Sequence, residues 1–289
     1  MEYKKRVLVA LLVILSSLFM VSCGITRSAH QATSVVQYLY PENKQIVETT
    51  AAPGTLRLTL PLRVGIAFVP PSPDGTPRSP QVQRLGEKDK MDLMKQISAE
   101  FKQYPFVKSL EIIPSPYLMP KGGFANLDQI RTMYGIDVIA LISYDQIQHT
   151  DEGLLSLSYW TLIGAYIVKG EKNDTSTMLD AAVYHIPDRK LLFRAPGTSQ
   201  VKGAATPVNL SEQLRKDSQD GFQKAAVVLV ENLKEQLEQF KEKVKEQPKE
   251  YKVEYSSGYR GGGSLHPLSL VLLAVMGGVL LWKSSRGRD

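Results

Sequence analysis

A single cysteine in 289 residues excludes an intrachain disulfide framework and any metal site built on several thiolates. There are four histidines, His30, His149, His185 and His266. No Gly-x-Ser-x-Gly, His-Glu-x-x-His, P-loop or dinucleotide-binding glycine pattern occurs, so these hydrolase, zinc-protease and nucleotide chemistries lack their motifs. No cofactor is implied. No apolar run reaches the roughly 20 residues of an ordinary spanning helix; the two strongest, residues 7–21 and 268–282, hold 15 each. The basic excess is also thinner than the formal +6 suggests, because residues 1–22 and 264–289 each carry a net +2. What remains has no basic face or stripe, so nucleic acid is not an expected partner.

The one cysteine has a position that explains it. Residues 1–6 (MEYKKR) are short and positively charged, residues 7–21 (VLVALLVILSSLFMV) are apolar, and Cys23 follows directly. That order is a signal peptide with a short apolar region. Met20, Val21, Ser22 and Cys23 resemble the bacterial lipobox: a bulky apolar residue, a tolerant position, a small residue, then cysteine. Met20 stands where leucine is usual. The resemblance implies that residues 1–22 are removed and that Cys23 is lipidated, with lipoprotein-processing enzymes and membrane lipid as partners. Each buried CH₂ contributes about 0.8 kcal/mol, so several acyl chains anchor a protein stably. Gly24 follows, not the aspartate that favours inner-membrane retention in enteric bacteria, so outer-membrane sorting is permitted.

The other end carries a second signal. Gly261, Gly262, Gly263 and Ser264 lead into the apolar residues 268–282, and Lys283, Arg286 and Arg288 follow. As a helix those 15 residues span about 22 Å, short of the roughly 30 Å hydrocarbon core. The trailing cations place the C-terminus in the cytoplasm and the body outside. Glycines and Pro267 make residues 261–267 a poor helix at the membrane boundary. An intramembrane protease needs such a stretch, because a stable helix hides the peptide bond. Glycine cluster, apolar helix and basic tail resemble the GlyGly-CTERM sorting signal recognised by rhomboid-like sortases, the rhombosortases; a plain tail anchor is the simpler alternative. Lipobox and glycine tail together resemble the rhombotarget lipoprotein family, and residues 30–41 (HQATSVVQYLYP) and 64–70 (VGIAFVP) are similar to its body. Membership implies an exported, lipid-anchored protein of the cell envelope, at the outer membrane or cell surface after cleavage near Gly261, Gly262, Gly263 and Ser264 by a rhomboid-like sortase.

Between the signals, residues 23–54 read as a tether, with either a short docked helix over 34–40 or a mobile linker. Residues 55–246 read as one α/β (α+β) domain. Leu56, Leu58, Leu60, Leu62, Val64, Ile66 and Phe68 alternate as a half-buried strand that Pro61 breaks or places at an edge. A helix follows from about Asp89 to Tyr104, then strand 107–113, a helix over 126–134 and an apolar central strand 136–142. Strands at 154–169, 177–186 and 190–198 form an antiparallel meander, the first pair joined by residues 170–174 and the second by a Pro187-Asp188 turn. The sum is a mixed sheet of about six strands, β-α-β-α-β then the meander. At the level of fold alone this resembles the α/β domain of periplasmic lipoproteins of the curli-secretion type. A long C-terminal helix from near Ser211 carries a stripe of Phe222, Ala226, Leu229, Leu233, Leu237, Phe240 and Val244. It either covers the sheet with a frayed end or self-associates through residues 222–244 as a coiled coil. Residues 247–260 read as a solvated linker to the sorting signal at 261–289.

Two functions from different classes fit. The favoured one is a non-catalytic binding or assembly module of the envelope. The alternative is an envelope enzyme, hydrolase-like or metal-dependent, around His149 in the polar stretch 144–152 (YDQIQHTDE), with Asp145, Asp151 and Glu152. A deep pocket lined by those groups would favour the enzyme; a filled surface would favour binding.

Overall fold

The computed structural model describes residues 26–41, 55–71, 85–152, 171–206, 208–257 and 259. The elements are β1 (Thr26–Ala32), α1 (Val35–Leu39), β2 (Leu56–Leu60), β3 (Leu62–Phe68), α2 (Glu87–Phe101), β4 (Val107–Ile112), a 3₁₀ turn (Ser115–Tyr117), α3 (Gly123–Tyr134), β5 (Val138–Glu152), β6 (Glu171–His185), β7 (Lys190–Ala205), α4 (Leu210–Glu246) and β8 (Tyr251–Tyr255). The fold is mixed α+β. Its main sheet has six strands in the order β4-β3-β5-β6-β7, with β1 paired to the second half of β5.

β5 organises the sheet because its two halves differ in sequence and in company. Its first half pairs parallel with β3, Val64 opposite Val138 and Phe68 opposite Ile142. Its second half pairs antiparallel with β1, Thr26 opposite Asp151 and Ala32 opposite Asp145. Along its other edge it pairs antiparallel with β6 throughout. In the first half, Val138, Ala140 and Ile142 join one core with Ile66, Phe68, Met94, Ile97, Leu229 and Leu233 from β3, α2 and α4. Ile139 and Leu141 join a second core on the opposite face with Tyr38, Phe124, Leu127 and Ile130 from α1 and α3. Helices on both faces are why this stretch is apolar at every position. In the second half only alternate residues, Gln146, Gln148 and Thr150, are buried, and Asp145, Ile147 and His149 are not.

Local chemistry sets the element ends. Ser34 caps α1, its hydroxyl accepting from the Gln37 N–H at 3.3 Å. Val35, Tyr38 and Leu39 are buried, so this short helix docks on the domain. Gly135, at φ 63°, closes α3 with its N–H on the Arg131 carbonyl, a left-handed cap that favours glycine. Pro61 has no N–H to donate, and here the chain leaves one sheet for another: β3 is in the main sheet, while β2 pairs parallel with β8, Leu56 opposite Tyr251 and Leu60 opposite Tyr255. The β6–β7 turn runs through Pro187 and Asp188, with Arg189 N–H on the Ile186 carbonyl at 3.1 Å.

Several expectations need correction. Thr26–Ala32 is a paired strand and not part of a tether, and Tyr251–Tyr255 is a paired strand and not a solvated linker. Neither segment alternates in hydrophobicity over a long run; their partners supply the reason to be extended. Residues 171–174 belong to β6 and not to a turn, and β7 runs on to Ala205. The polar stretch 145–152 is strand, paired on both edges. The strand expected at 154–169 lies outside the described residues. The long helix persists as 37 residues to Glu246, and Phe222, Leu229, Leu233, Leu237 and Phe240 are buried within this chain. Each such side chain contributes about 2 kcal/mol by leaving water. The stripe that would form a coiled-coil seam faces the sheet.

Candidate functional site

Cys23, Gly261, Gly262, Gly263 and Ser264 lie outside the described residues. The structure does fix where the chain leaves the body toward each. Thr26 opens β1 three residues after Cys23, and it pairs with Asp151 near the far end of β5. At the other terminus the Ser256 N–H donates to the Leu60 carbonyl at 2.9 Å, and the Tyr259 N–H to the Ser256 carbonyl at 3.0 Å. Tyr255 and Tyr259 stack with ring centroids 6.0 Å apart, two residues before Gly261. Leu60 adjoins the start of β3, which pairs with the start of β5. From Val138 to Asp151 is 13 steps of one strand, about 43 Å at 3.3 Å per residue. The two exits are therefore at opposite poles of the sheet.

At the Thr26 pole the sheet has one face that is open among the described residues. Strand alternation puts Ser28 and His30 of β1, Asp145, Ile147 and His149 of β5, Asp174, Ser176 and Met178 of β6, and Thr198, Gln200 and Lys202 of β7 on the side away from α4. His30, expected in a tether, hydrogen-bonds Asp145 through Nε2 at 2.8 Å. Gln200 donates from Nε2 to both Asp174 carboxylate oxygens, at 3.1 and 2.8 Å. His149 is exposed and sits across from Ser28 and Asp174. His185 is elsewhere, at the opposite end of β6, buried, with Nδ1 2.9 Å from Asp188 Oδ2. Its burial pushes the imidazole pKa below the ordinary value, and the Asp188 carboxylate only partly offsets that.

Neither His30 nor Asp145 is hydrogen-bonded to a hydroxyl or thiol nucleophile among the described residues. Among the described residues no group of three or more His, Cys, Asp or Glu side chains gathers there as a metal site. The arrangement is a polar, hydrogen-bonding surface of four strands.

The opposite face of the same strands holds a buried polar layer that sequence reasoning missed. Gln146 Nε2 donates to Thr177 Oγ1 at 2.7 Å and to the Ser218 carbonyl of α4 at 3.1 Å. Gln148 does the same with Thr175 and the Leu214 carbonyl. Asp217 accepts from Gln213 at 2.8 Å. Its other oxygen and both polar atoms of Asn173 are buried without a hydrogen-bond partner among the described residues. The only trace of this layer in the sequence is the period-two alternation of Gln146, Gln148 and Thr150 against Asp145, Ile147 and His149. Nearer the other pole, an apolar cavity of about 90 Å³ lies between α2 and α4, walled by Phe101, Phe106, Val138, Ala140, Leu237 and Phe240 among others. All its lining residues are apolar, which suits a dry space.

Among the described residues no helix is long and apolar enough to cross a membrane. No protein-family model matches the chain, and no curated protein matches it. Solved structures similar to it include the PelC dodecamer from Paraburkholderia phytofirmans, at 9% identity over 71% of this chain and 96% of that one, with a TM-score of 0.26. Another is protein XCC0632 of family DUF330 from Xanthomonas campestris, at 10% identity over 64% of this chain and 96% of that one, with a TM-score of 0.30. At such identities and scores neither likeness carries an argument about function or assembly.

Proposed function

We propose that the chain is an envelope lipoprotein, lipidated at Cys23 and trimmed near Gly261, Gly262 and Gly263 by a rhomboid-like sortase, that acts without catalysis as a binding or assembly module. The observation that carries this reading is the position of the chain's only cysteine, directly after a 15-residue apolar run and the small residue Ser22. Export would put a lone thiol in an oxidising compartment, and acylation removes it from that chemistry. The open face supports binding over catalysis: its polar groups spread over four strands and do not converge in a pocket. A lipid on Cys23 would hold that face near the membrane, since three residues reach at most about 10 Å to Thr26.

Metabolic labelling with a fatty acid tests the first step. The wild-type chain takes the label; Cys23→Ala does not, and keeps its signal peptide. A labelled Cys23→Ala chain would remove the lipobox reading. The intact mass of the mature protein then reads both termini at once.

A catalytic role for residues 145–152 has one observation in its favour, the 2.8 Å contact of His30 with Asp145. An imidazole oriented by a carboxylate is a common general-base arrangement. It would require a substrate that brings its own nucleophile or a water onto an exposed face. A hydrolytic activity abolished by His30→Ala and by Asp145→Asn, with the fold intact, would favour it.

A further inference from the structure

Two pairs of aromatic rings lie at the pole from which the chain leaves for its C-terminal signal. Tyr255 is 65% exposed at the end of β8 and stacks on Tyr259. Tyr104 and Phe106, half-buried in the α2–β4 connection, lie 5.2 Å apart. The two pairs are neighbours through Pro61: Leu60 accepts the Ser256 N–H at 2.9 Å, and the Leu62 N–H donates to the Phe106 carbonyl at 2.7 Å. Leu60 and Leu62 are at most about 7 Å apart. The Lys241 ammonium, ion-paired with Glu238 at 2.8 Å, stands 6.0 Å from the Tyr104 ring and 5.8 Å from the Phe106 ring.

We propose that this pole, Tyr104, Phe106, Tyr255 and Tyr259, rests in the headgroup layer of the membrane that residues 268–282 enter. The proposal rests on reading those residues as a membrane segment. Length argues for it. Tyr259 precedes Gly261 by two residues and the apolar stretch by nine, at most about 30 Å of chain. β8 pins the preceding residues to β2, so the reach of those nine residues is the upper bound on the body's distance from the bilayer. Chemistry agrees. An exposed tyrosine pair has an apolar body and a polar tip, the composition favoured where hydrocarbon gives way to headgroups. The intact chain would then lie on its side, its Tyr259 pole held by the membrane segment and its Thr26 pole, toward the other end of β5, by the lipid on Cys23. Removing the C-terminal segment would free the tyrosine pole.

The chain's two tryptophans, Trp160 and Trp282, make the test direct. The full-length chain is reconstituted in phosphatidylethanolamine–phosphatidylglycerol vesicles whose acyl chains carry bromine at shallow or deep positions. With Trp160→Phe, Trp282 alone reports on the membrane segment. With Trp160→Phe and Trp282→Phe, Tyr255→Trp or Tyr259→Trp reports on the pole, and Val227→Trp, at an exposed position on the outer side of α4, serves as control. We expect the Tyr255→Trp and Tyr259→Trp indoles to lose about half of their emission or more to shallow bromines, and the control far less. If Trp282 is quenched while Tyr255→Trp and Tyr259→Trp match the control, the segment is in the bilayer but the proposal is wrong. If Trp282 itself is not quenched, the membrane-segment reading fails and takes the proposal with it. A Tyr255→Trp indole shielded from bromine and blue-shifted with rising protein concentration would assign the pole to a second copy of the chain, which also overturns it.

Discussion

Gly197 of β7 lies directly under Leu229 of α4: a Cβ added at Gly197 would stand 2.6 Å from the Leu229 backbone nitrogen and 2.7 Å from its Cβ. The neighbours are helix backbone, which cannot swing aside as a flexible side chain would. One residue earlier, Asn232 Nδ2 donates to the Pro196 carbonyl at 2.6 Å and ties the same turn of helix to the strand. We expect Gly197→Ala to destabilise the protein by about 2–3 kcal/mol through overpacking. In urea the midpoint falls while the slope is unchanged, because the surface exposed on unfolding is the same. A variant as stable as wild type would mean that α4 does not sit this close to β7.

A pH dependence follows from His185. Burial, the leading cause, lowers its pKa in the folded protein, and the Asp188 carboxylate opposes this without reversing it. The unfolded chain then binds a proton more readily than the folded one. Stability from this group is complete above the unfolded value of about 6.5 and is lost as pH falls through the folded value. Replacing the imidazole with a group that does not titrate, His185→Asn, should flatten the denaturation midpoint between about pH 7 and pH 5. Wild type and variant declining in parallel over that window would refute the assignment.

How far the sequence was legible depended on where the information lay. The alternation from Leu56 to Phe68, the two-faced apolar run at 138–142 and the four-three stripe of α4 are local patterns, and the structure places the last two as expected; the first is strand too, but from Gly65 to Phe68 it is buried on both faces and not on one. Strands whose partners are far along the chain were not readable. Thr26–Ala32 is extended because β5 offers it an edge 119 residues later, and Tyr251–Tyr255 because β2 does so almost 200 residues earlier. Residues 145–152 have the composition of a loop, yet pairing on both edges satisfies their backbone and α4 covers one face. The contact of His30 with Asp145 was hidden for the same reason. The two terminal signals are legible because processing enzymes and membranes read them as local sequence.

The position of the long helix makes Leu237 a discriminating residue. It is 8% exposed and lines the apolar cavity with Phe193 and Phe240. Burying a carboxylate there without a partner should cost roughly 3 kcal/mol or more, so Leu237→Asp should unfold or loosen the domain itself. Sedimentation and urea unfolding of wild type and variant separate this from the coiled-coil idea. A dimeric wild type that Leu237→Asp converts into an equally stable monomer would show that the stripe serves a partner and not the sheet.

The glycine cluster provides the last test, because its two readings predict different fates for one variant. Residues 261–267 contain three glycines and Pro267, and 15 apolar residues follow with Lys283, Arg286 and Arg288 behind them. Glycine costs a helix about 1 kcal/mol relative to alanine, so three replacements add roughly 3 kcal/mol of helix propensity at the outer boundary. Gly261→Ala, Gly262→Ala and Gly263→Ala together should extend the helix outward and hide the peptide bond that an intramembrane protease must reach. A cleavage signal would then become a permanent anchor, and the uncleaved chain should accumulate in the inner membrane. If the segment is only an anchor, wild type and triple variant should have the same size and the same membrane fraction. The comparison is made in cells with and without a rhomboid-like sortase, by intact mass and by fractionation. A wild-type chain that keeps its tail through Asp289 in cells holding that sortase would refute the cleavage reading and leave a lipoprotein anchored at both ends.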